Sequence, residues 1–522
     1  MLIVILQAAS GAYHAEFGND EAAHYVSGLM VHDYLKGGLE TSPRDFLQNY
    51  HSHYPVIGIG HWPPFYYLVE AVWMLFFGIS RTAVLALSAA GTFVVGIVLY
   101  RFLEQRYAAM AAGVAAVIFC VSLVVQENTN TLMIDIPLTL VCLLAMLSYV
   151  RYLNSGQIRD SVIFAILAVA AIMMKGNGAS LALLPPCAVL IGRRFDLLRK
   201  LSFWIPVPIV GVLTAPWYLY TYQSTSRGFR YSWGLDYLSA SNVANAQLLL
   251  FYLGPVVIAL ALLGFVKVIL RGHKTPLDAG LVGAGSLFTA VWAFQSLVPA
   301  ALEPRYLLPL VPPLLILSVH GLSIIWEWLR GFKPSINSWR LIAVLLFLAS
   351  FLISSWGIAT KSSFGVIQAV QQIDEHTTST NQTVLIAMDS SLEPAAVAEI
   401  AMADNNRPLF FAIRGSRLLG GGGFNNFQYI PRFQTVAEVM GAIDEYNIPL
   451  ILLRNDGNPK NWEHIRRIEQ AMVLFPERFQ VISKLEGKET PIRLVRVRGN
   501  ETKPADIDKL LALSAPRALA IK

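Results

Sequence analysis

Long apolar runs separated by short polar stretches dominate residues 1–360. The runs fall at 82–100, 108–126, 136–153, 161–174, 178–192, 203–222, 247–270, 278–298, 306–329 and 340–358, after a short apolar stretch at 1–12. A helix needs about 20 apolar residues to cross a bilayer, so 161–174 and 178–192 are expected to form a helix pair broken at Lys175-Gly176-Asn177-Gly178. The pattern predicts a polytopic α-helical membrane domain over 1–360 with about 11 spans. The stretch 1–12 is short for a span, and we expect it to be a truncated first helix.

The pattern changes at residue 361, where strand-like and helix-like runs begin to alternate. Strands are predicted at 383–388, 409–413, 449–453, 479–485 and 492–497, and helices near 393–404, 435–446 and 461–474. Charged side chains number 37 in residues 1–360 and 37 in 361–522, so the charged fraction rises from 10% to 23%. Residues 361–522 are therefore predicted to form a soluble α/β domain with a largely parallel sheet.

Composition and charge narrow the class of protein further. The chain is 55% hydrophobic and 14% charged, which excludes a disordered chain, a soluble single domain and a nucleic-acid binder. The segment 64–79, which follows His61-Trp62-Pro63-Pro64, is expected to lie along the membrane interface. The short loops then carry 14 Lys and Arg on one side and 4 on the other. The positive-inside rule makes the first side cytoplasmic and places the loop 13–63 and residues 361–522 outside the cytoplasmic (inner) membrane. If 64–79 crossed the membrane instead, the loop 13–63 would lie in the cytoplasm and the rest would stay in place.

Three acidic residues are candidates for chemistry at that outer face. Asp20 and Glu21 follow the first apolar stretch, and Asp135 begins a span in Met-Ile-Asp-Ile-Pro. A carboxylate close to a hydroxyl can act as a general base. A second acid could orient the acceptor or share a metal ion. The alternative for each site is structural, since acids favour helix N-termini and Asn19 or Asp20 would cap a helix running to about Lys36.

Cationic candidates fall at the same predicted face. Lys175 lies between two apolar half-helices, where it would either hold an anion such as phosphate or extend to the membrane surface. Arg305, followed by Tyr306, offers a planar fork for phosphate oxygens, or a structural ion pair with Glu303. His61 would contact a phosphate or shape its loop. The pair His51 and His53 supplies too few ligands for a zinc site.

These motifs together resemble the integral-membrane glycosyltransferases of the GT-C fold, most closely family 39, the protein mannosyltransferase and aminoarabinose transferase group. The motifs concerned are Asp20-Glu21, His61-Trp62-Pro63-Pro64, Asp135-Ile136-Pro137, Lys175-Gly176 and Arg305-Tyr306, within residues 10–330. The resemblance implies a sugar transferred with inversion from a polyprenyl-phosphate carrier to an acceptor hydroxyl. It makes Asp20 the general base, supported by Glu21, with Asp135 as a second acid. Lys175, Arg305 and Tyr306 would bind the carrier phosphate, with His61 in the same pocket.

Several alternatives stay open at this stage. A polyprenyl-linked lipid flippase or transporter would also explain Lys175 in a broken helix, and a membrane scaffold with a soluble sensor domain is a third class. The sugar is a hexose or a pentose, and the acceptor is a protein, a lipid or a glycan. No cofactor is required by the pattern, no metal ligands are assigned, and dependence on a divalent metal ion is left open.

Overall fold

The computed structural model describes most of the chain, and the described residues divide into two compact units. The first unit is 1–10, 60–66 and 85–360, and the second is 11–59, 67–84 and 361–522. Residue 360 thus ends one unit, and most of the predicted outer loop 13–63 groups with the tail. The structure describes all residues except 227–230, 271–277, 333–337, 374–375, 377–381, 422–428, 456, 458–461, 486–489, 501–502, 507–508 and 511–522.

The first unit is built from helices whose apolar side chains form one large core. Among the described residues, five helices are long and apolar enough to cross a membrane, or seven if each of two bent pairs is one span. The described residues thus contain several candidate spans, as expected of a polytopic membrane protein. The helices are α1 (Leu2–Ser10), α5 (Arg81–Glu104, whose first four residues belong to the second unit), α6 (Ala109–Val121), α7 (Leu123–Thr129), α8 (Asp135–Ser155), α9 (Ile158–Met174), α10 (Leu184–Gly192), α11 (Leu201–Trp204), α12 (Pro206–Tyr220), α13 (Tyr222–Thr225), α14 (Leu235–Leu253), α15 (Pro255–Leu270), α16 (Ala279–Leu297), α17 (Val311–Phe332) and α18 (Ser338–Ser355).

Breaks within apolar segments shape this unit. The predicted break at Lys175 is confirmed: α9 ends at Met174, Lys175 is extended, and a 3₁₀ helix runs from Gly176 to Leu183 before α10. The run 247–270, expected to be one span, is instead bent by 115° between α14 and α15. Gly254 sits at this bend with φ +81°, and Pro255 cannot continue the hydrogen-bond ladder of α14.

Close helix packing in the first unit depends on glycine. A Cβ added at Gly264 of α15 would lie 2.2 Å from the carbonyl oxygen of Leu317, and one at Gly321 of α17 would lie 2.0 Å from that of Leu260. Neither position has room for a side chain. The two backbones approach as closely as small residues allow at helix interfaces in membranes.

The second unit contains a five-stranded sheet in the order β2-β1-β5-β7-β6. Its strands are β1 (Thr383–Ala387), β2 (Phe411–Arg414), β5 (Leu450–Leu453), β6 (Phe479–Leu485) and β7 (Ile492–Val497), and a short pair is formed by β3 (Gly420–Gly421) and β4 (Ile430–Pro431). The helices are α2 (Asn19–Asp33), α3 (Pro43–His53), α4 (Phe65–Phe77, which begins in the first unit), α19 (Val366–Gln371), α20 (Leu392–Ala403), α21 (Gly415–Leu418), α22 (Val436–Glu445) and α23 (Glu463–Leu474).

The α/β pattern predicted for the tail is confirmed, with one difference in strand direction. All five predicted strands and all three predicted helices are present to within about two residues. The pairs β1–β2 and β1–β5 are parallel, but β5–β7 and β6–β7 are antiparallel. The expectation of a largely parallel sheet is therefore wrong for its β7–β6 end, where the short connection between β6 and β7 leaves no room for a parallel crossover.

Candidate active site

In the first unit, the break after α9 brings Lys175 to the start of α8. The Nζ atom of Lys175 donates to both carboxylate oxygens of Asp135, at 2.7 and 2.9 Å. Both residues are buried, with 7% and 1% of their surface exposed. The turn that follows packs against α9 because Gly178 has no side chain, and a Cβ there would lie 2.3 Å from the backbone of Ala171.

This pair bears on the surface alternative for Lys175. Lys175 does not extend to the surface, because its counter-ion within the first unit is Asp135. Asp135 occupies the first turn of α8, where its charge is favoured by the helix dipole, yet its oxygens are used by the lysine. A buried ion pair of this kind is costly to desolvate and strongly destabilising to break from one side.

The segment before α17 contributes Arg305 and Tyr306 to the same place. Lys175 Nζ lies 4.6 Å from the centroid of the Tyr306 ring, and Arg305 Cζ lies 5.5 Å from it. Arg305 forms an ion pair with Glu303 at 2.5 Å, which is the contact expected from the structural alternative. Its side chain is 19% exposed, unlike that of Lys175. The first unit thus places two cations within 5.5 Å of the centroid of one aromatic ring.

His61 also belongs to the first unit but its described contact is local. Its imidazole meets the indole of the adjacent Trp62 edge-on, with ring centroids 4.6 Å apart. This contact fits the loop-shaping alternative. His53, in contrast, belongs to the second unit, where its Nδ1 lies 3.1 Å from the carbonyl oxygen of Phe410 and its ring stacks on Phe411.

In the second unit, the acids of the first loop open helix α2. The helix begins at Asn19, and Glu21 accepts a hydrogen bond from the backbone N–H of Gly18 at 2.7 Å. Lys361 Nζ donates to both oxygens of Glu21, at 2.7 and 2.8 Å. Glu21 is buried whereas Asp20 is partly exposed. The expected cap at Asn19 or Asp20 is therefore wrong, since Gly18 takes that position and Glu21 satisfies its N–H.

Two other residues of this region were not singled out from the sequence. Glu16 is buried and accepts hydrogen bonds from the backbone N–H groups of Phe364 and Val366, at 3.0 and 2.7 Å, at the start of α19. Lys361 is the partner of Glu21. Their partners lie about 350 residues away along the chain, so spacing alone carries no signal for them.

The predicted site residues are thus divided between the units. The first unit brings Asp135, Lys175, Arg305 and Tyr306 together, and it also contains His61. The second unit contains Asp20 and Glu21. Within the part of the chain that the structure describes, no three His, Cys, Asp or Glu side chains are placed to hold one metal ion.

Comparison with known proteins supports the resemblance stated from the motifs. Residues 61–220 match the family described as dolichyl-phosphate-mannose-protein mannosyltransferase. No curated protein sequence matches the chain significantly.

Solved structures match over most of the chain. ArnT from Cupriavidus metallidurans bound to undecaprenyl phosphate has a TM-score of 0.59 at 13% identity, covering 96% of this chain and 97% of that one. The apo state of ArnT gives 0.57 at 15% identity, with 94% and 96% covered. The archaeal oligosaccharyltransferase AglB from Archaeoglobus fulgidus, in complex with an inhibitory peptide and a dolichol-phosphate, gives 0.50 at 12%, with 86% and 68% covered. At these identities the likeness is one of fold. By its motifs, its matched segment and its fold, the chain resembles the GT-C membrane glycosyltransferases of the family 39 group.

Proposed function

We propose that this protein is a glycosyltransferase that moves a sugar from a polyprenyl-phosphate carrier to an acceptor hydroxyl. The observation that carries the proposal is the cluster of Asp135, Lys175, Tyr306 and Arg305 in the first unit. Two cations beside an aromatic ring, built into helix breaks of a membrane domain, suit the phosphate of a lipid. The structures of similar fold support this choice of ligand, since ArnT is bound to undecaprenyl phosphate and AglB is in complex with a dolichol-phosphate.

The two cations differ in how a phosphate could reach them. Lys175 is held by Asp135 in a buried pair, and displacing that carboxylate would leave a buried charge without its partner. Arg305 is partly exposed, and its guanidinium can bind two phosphate oxygens at once. We therefore assign the first contact with the phosphate to Arg305, and to Lys175 the electrostatic stabilisation of the leaving phosphate. Asp135 holds the ammonium group of Lys175 in place.

The transfer step combines these assignments with the base role that the resemblance implies for Asp20. Asp20 takes the proton of the acceptor hydroxyl, and the hydroxyl oxygen forms a bond to the anomeric carbon. The bond between that carbon and the phosphate oxygen breaks, and the polyprenyl phosphate leaves with the electron pair. Attack opposite the leaving group inverts the anomeric centre. Asp20 is favoured over Glu21 as the base because Glu21 is buried and already paired with Lys361.

The proposal extends to topology and substrates. It places about 11 spans in the inner membrane, counting helices shorter than 18 residues, with residues 361–522 as an extracytoplasmic soluble domain. The 14-to-4 distribution of Lys and Arg supports this orientation. The donor is a hexosyl- or pentosyl-phosphate polyprenol, and the acceptor is a protein, a lipid or a glycan.

A lipid flippase is the second candidate, favoured by the broken helices at Lys175 and at Gly254. Discontinuous helices at mid-membrane line the substrate paths of many transporters. A flippase would leave the sugar attached to the lipid, so the fate of the sugar separates the two functions.

The test is transfer of radiolabelled sugar from polyprenyl-phosphate donors in membranes that contain wild type, Asp20→Asn or Asp33→Asn, with lipid binding followed in parallel. Asp33 is the matched control because it lies at the other end of α2 and pairs with Arg407. We expect transfer in wild type and in Asp33→Asn, and loss of transfer with retained lipid binding in Asp20→Asn. Equal transfer by Asp20→Asn and wild type would remove Asp20 as the base.

A further inference from the structure

The second unit contains a cleft whose lining residues have no role in the proposed reaction. It has a volume of about 470 Å³ and lies between the segment before α2, the start of α5, helix α19 and the end of α20. Its polar lining residues are Tyr13, His14, Arg81, Gln368, Gln371 and Glu399.

An ion pair forms the buried end of the cleft. The Nη2 atom of Arg81 donates to both carboxylate oxygens of Glu399 at 2.6 Å, and the guanidinium lies over the ring of Phe17 at 4.6 Å. Arg81 is 7% exposed and Glu399 is 5% exposed. The Nη1 atom of Arg81 has no hydrogen-bond acceptor among the residues that the structure describes. A buried donor in that state favours a ligand that brings an oxygen to it.

The outer part of the cleft offers neutral polar groups. Gln368 and Gln371 are exposed and three residues apart on α19, so both amides project from one face of that helix. Each amide both donates and accepts hydrogen bonds. Tyr13, which is partly exposed, adds a phenol with an apolar ring face.

The charges of the cleft select the class of ligand. Arg81 and Glu399 neutralise each other, so an anion that approached Arg81 would meet the carboxylate beside it, and a cation that approached Glu399 would meet the guanidinium. An apolar ligand would leave the buried Nη1 donor without an acceptor and would displace water from the two amides. A neutral ligand with several hydroxyl groups satisfies all of these groups at once.

We propose that this cleft binds a neutral saccharide, which is the glycan acceptor of the reaction or the sugar part of a larger acceptor. The inference rests on the proposed function. The cleft also lies close to the candidate base: the ring of Phe17 that contacts Arg81 has Lys361 Nζ 5.8 Å from its centroid, and Lys361 pairs with Glu21. Two side chains, those of Phe17 and Lys361, thus separate Arg81 from Glu21 at the start of α2.

The test uses the full chain in detergent on a glycan microarray that carries neutral hexose oligosaccharides and their uronic-acid counterparts. Wild type should bind neutral glycans. The double variant Gln368→Ala/Gln371→Ala should bind about tenfold more weakly, because two neutral hydrogen bonds are lost. Arg81→Lys, which keeps the charge opposite Glu399, should also weaken binding. Gln480→Ala removes an exposed glutamine from strand β6, outside the cleft, and should bind as wild type does.

Three results would overturn the inference: no binding to any glycan, binding to acidic glycans alone, or equal binding by wild type and the double glutamine variant. Apparent melting temperatures of all variants establish that each is folded. If Arg81→Lys is unstable, the comparison of wild type with the double glutamine variant, which changes exposed side chains only, still decides the test. Turnover of a polyprenyl-phosphate sugar is measured on the same preparations. Absence of turnover in wild type would count against the proposed function, whereas turnover without glycan binding would count against this cleft alone.

Discussion

The buried pair of Lys175 and Asp135 allows the sharpest prediction about the first unit. Both carboxylate oxygens accept from one ammonium group, and the two side chains are 1% and 9% exposed. Removing one partner leaves the other charge buried in a membrane domain, where water cannot solvate it. Removing both leaves no charge to bury.

The expected magnitude follows from this geometry. Lys175→Met or Asp135→Leu alone should each cost about 3–5 kcal/mol of stability, the usual range for breaking a buried pair from one side. The double variant Asp135→Leu/Lys175→Met should lie within about 1–2 kcal/mol of wild type, because apolar residues of similar volume replace such pairs at little cost. The two substitutions are therefore strongly non-additive, with a coupling energy of several kcal/mol.

The assay is the apparent melting temperature of the full chain in detergent at a fixed heating rate, since large proteins often unfold irreversibly. The exposed pair of Arg101 and Glu104 in α5 is the control, and Arg101→Met should leave the melting temperature unchanged. A double variant that loses the sum of the two single losses would show that Lys175 and Asp135 do not stabilise each other as a buried pair. Sugar transfer, measured on the stable double variant, should be lost if Lys175 stabilises the leaving phosphate, which separates its chemical role from its structural one.

Three further predictions concern the second unit, with stability again read from melting temperature. Gly28→Ala should destabilise by about 1–3 kcal/mol, because its Cβ would lie 2.4 Å from the carboxyl group of Glu70; in a Glu70→Ala background the loss should shrink, and an unchanged loss would contradict the clash. Glu393→Gln should destabilise by about 3 kcal/mol or more, since its carboxylate is fully buried and accepts from three donors; a change below about 1 kcal/mol would contradict that role. Lys361→Met and Glu21→Gln should lower stability by similar amounts. Only Glu21→Gln should slow sugar transfer, because Glu21 supports the Asp20 base. Equal effects of the two variants on transfer would make Glu21 simply the partner of Lys361.

Local sequence signals were enough for the elements that depend on local chemistry. The break at Lys175 could be predicted because a lysine followed by Gly-Asn-Gly interrupts an apolar run, and the tail strands because β-branched and apolar residues alternate with helical segments. The direction of β6 and β7 was missed, although Leu485 and Ile492 are too close in sequence for a parallel crossover. The bend at Gly254 was not predicted, because a continuous apolar run gives no sign of a change in helix direction. The Gly254-Pro255 pair is such a sign.

Partners of charged residues were beyond the reach of sequence spacing. The sequence indicated that Lys175 needs an anion. Asp135, 40 residues earlier in the chain, provides it only because α9 packs against α8. Glu21 was expected at a helix start, and its ion pair with Lys361 spans 340 residues. Such pairs depend on tertiary structure, and the spacing of residues along the sequence does not show which charged residues meet.

The most direct test of the central claim follows the sugar and the lipid separately in proteoliposomes. The purified protein is reconstituted with polyprenyl-phosphate sugar labelled in both the sugar and the lipid, and an acceptor mixture from cell envelopes is added. A glycosyltransferase of this kind would release the sugar label from the lipid and join it to an acceptor with inverted anomeric configuration, and Asp20→Asn would abolish this release. Movement of the intact lipid-linked sugar between leaflets, with no release by wild type, would instead favour a flippase.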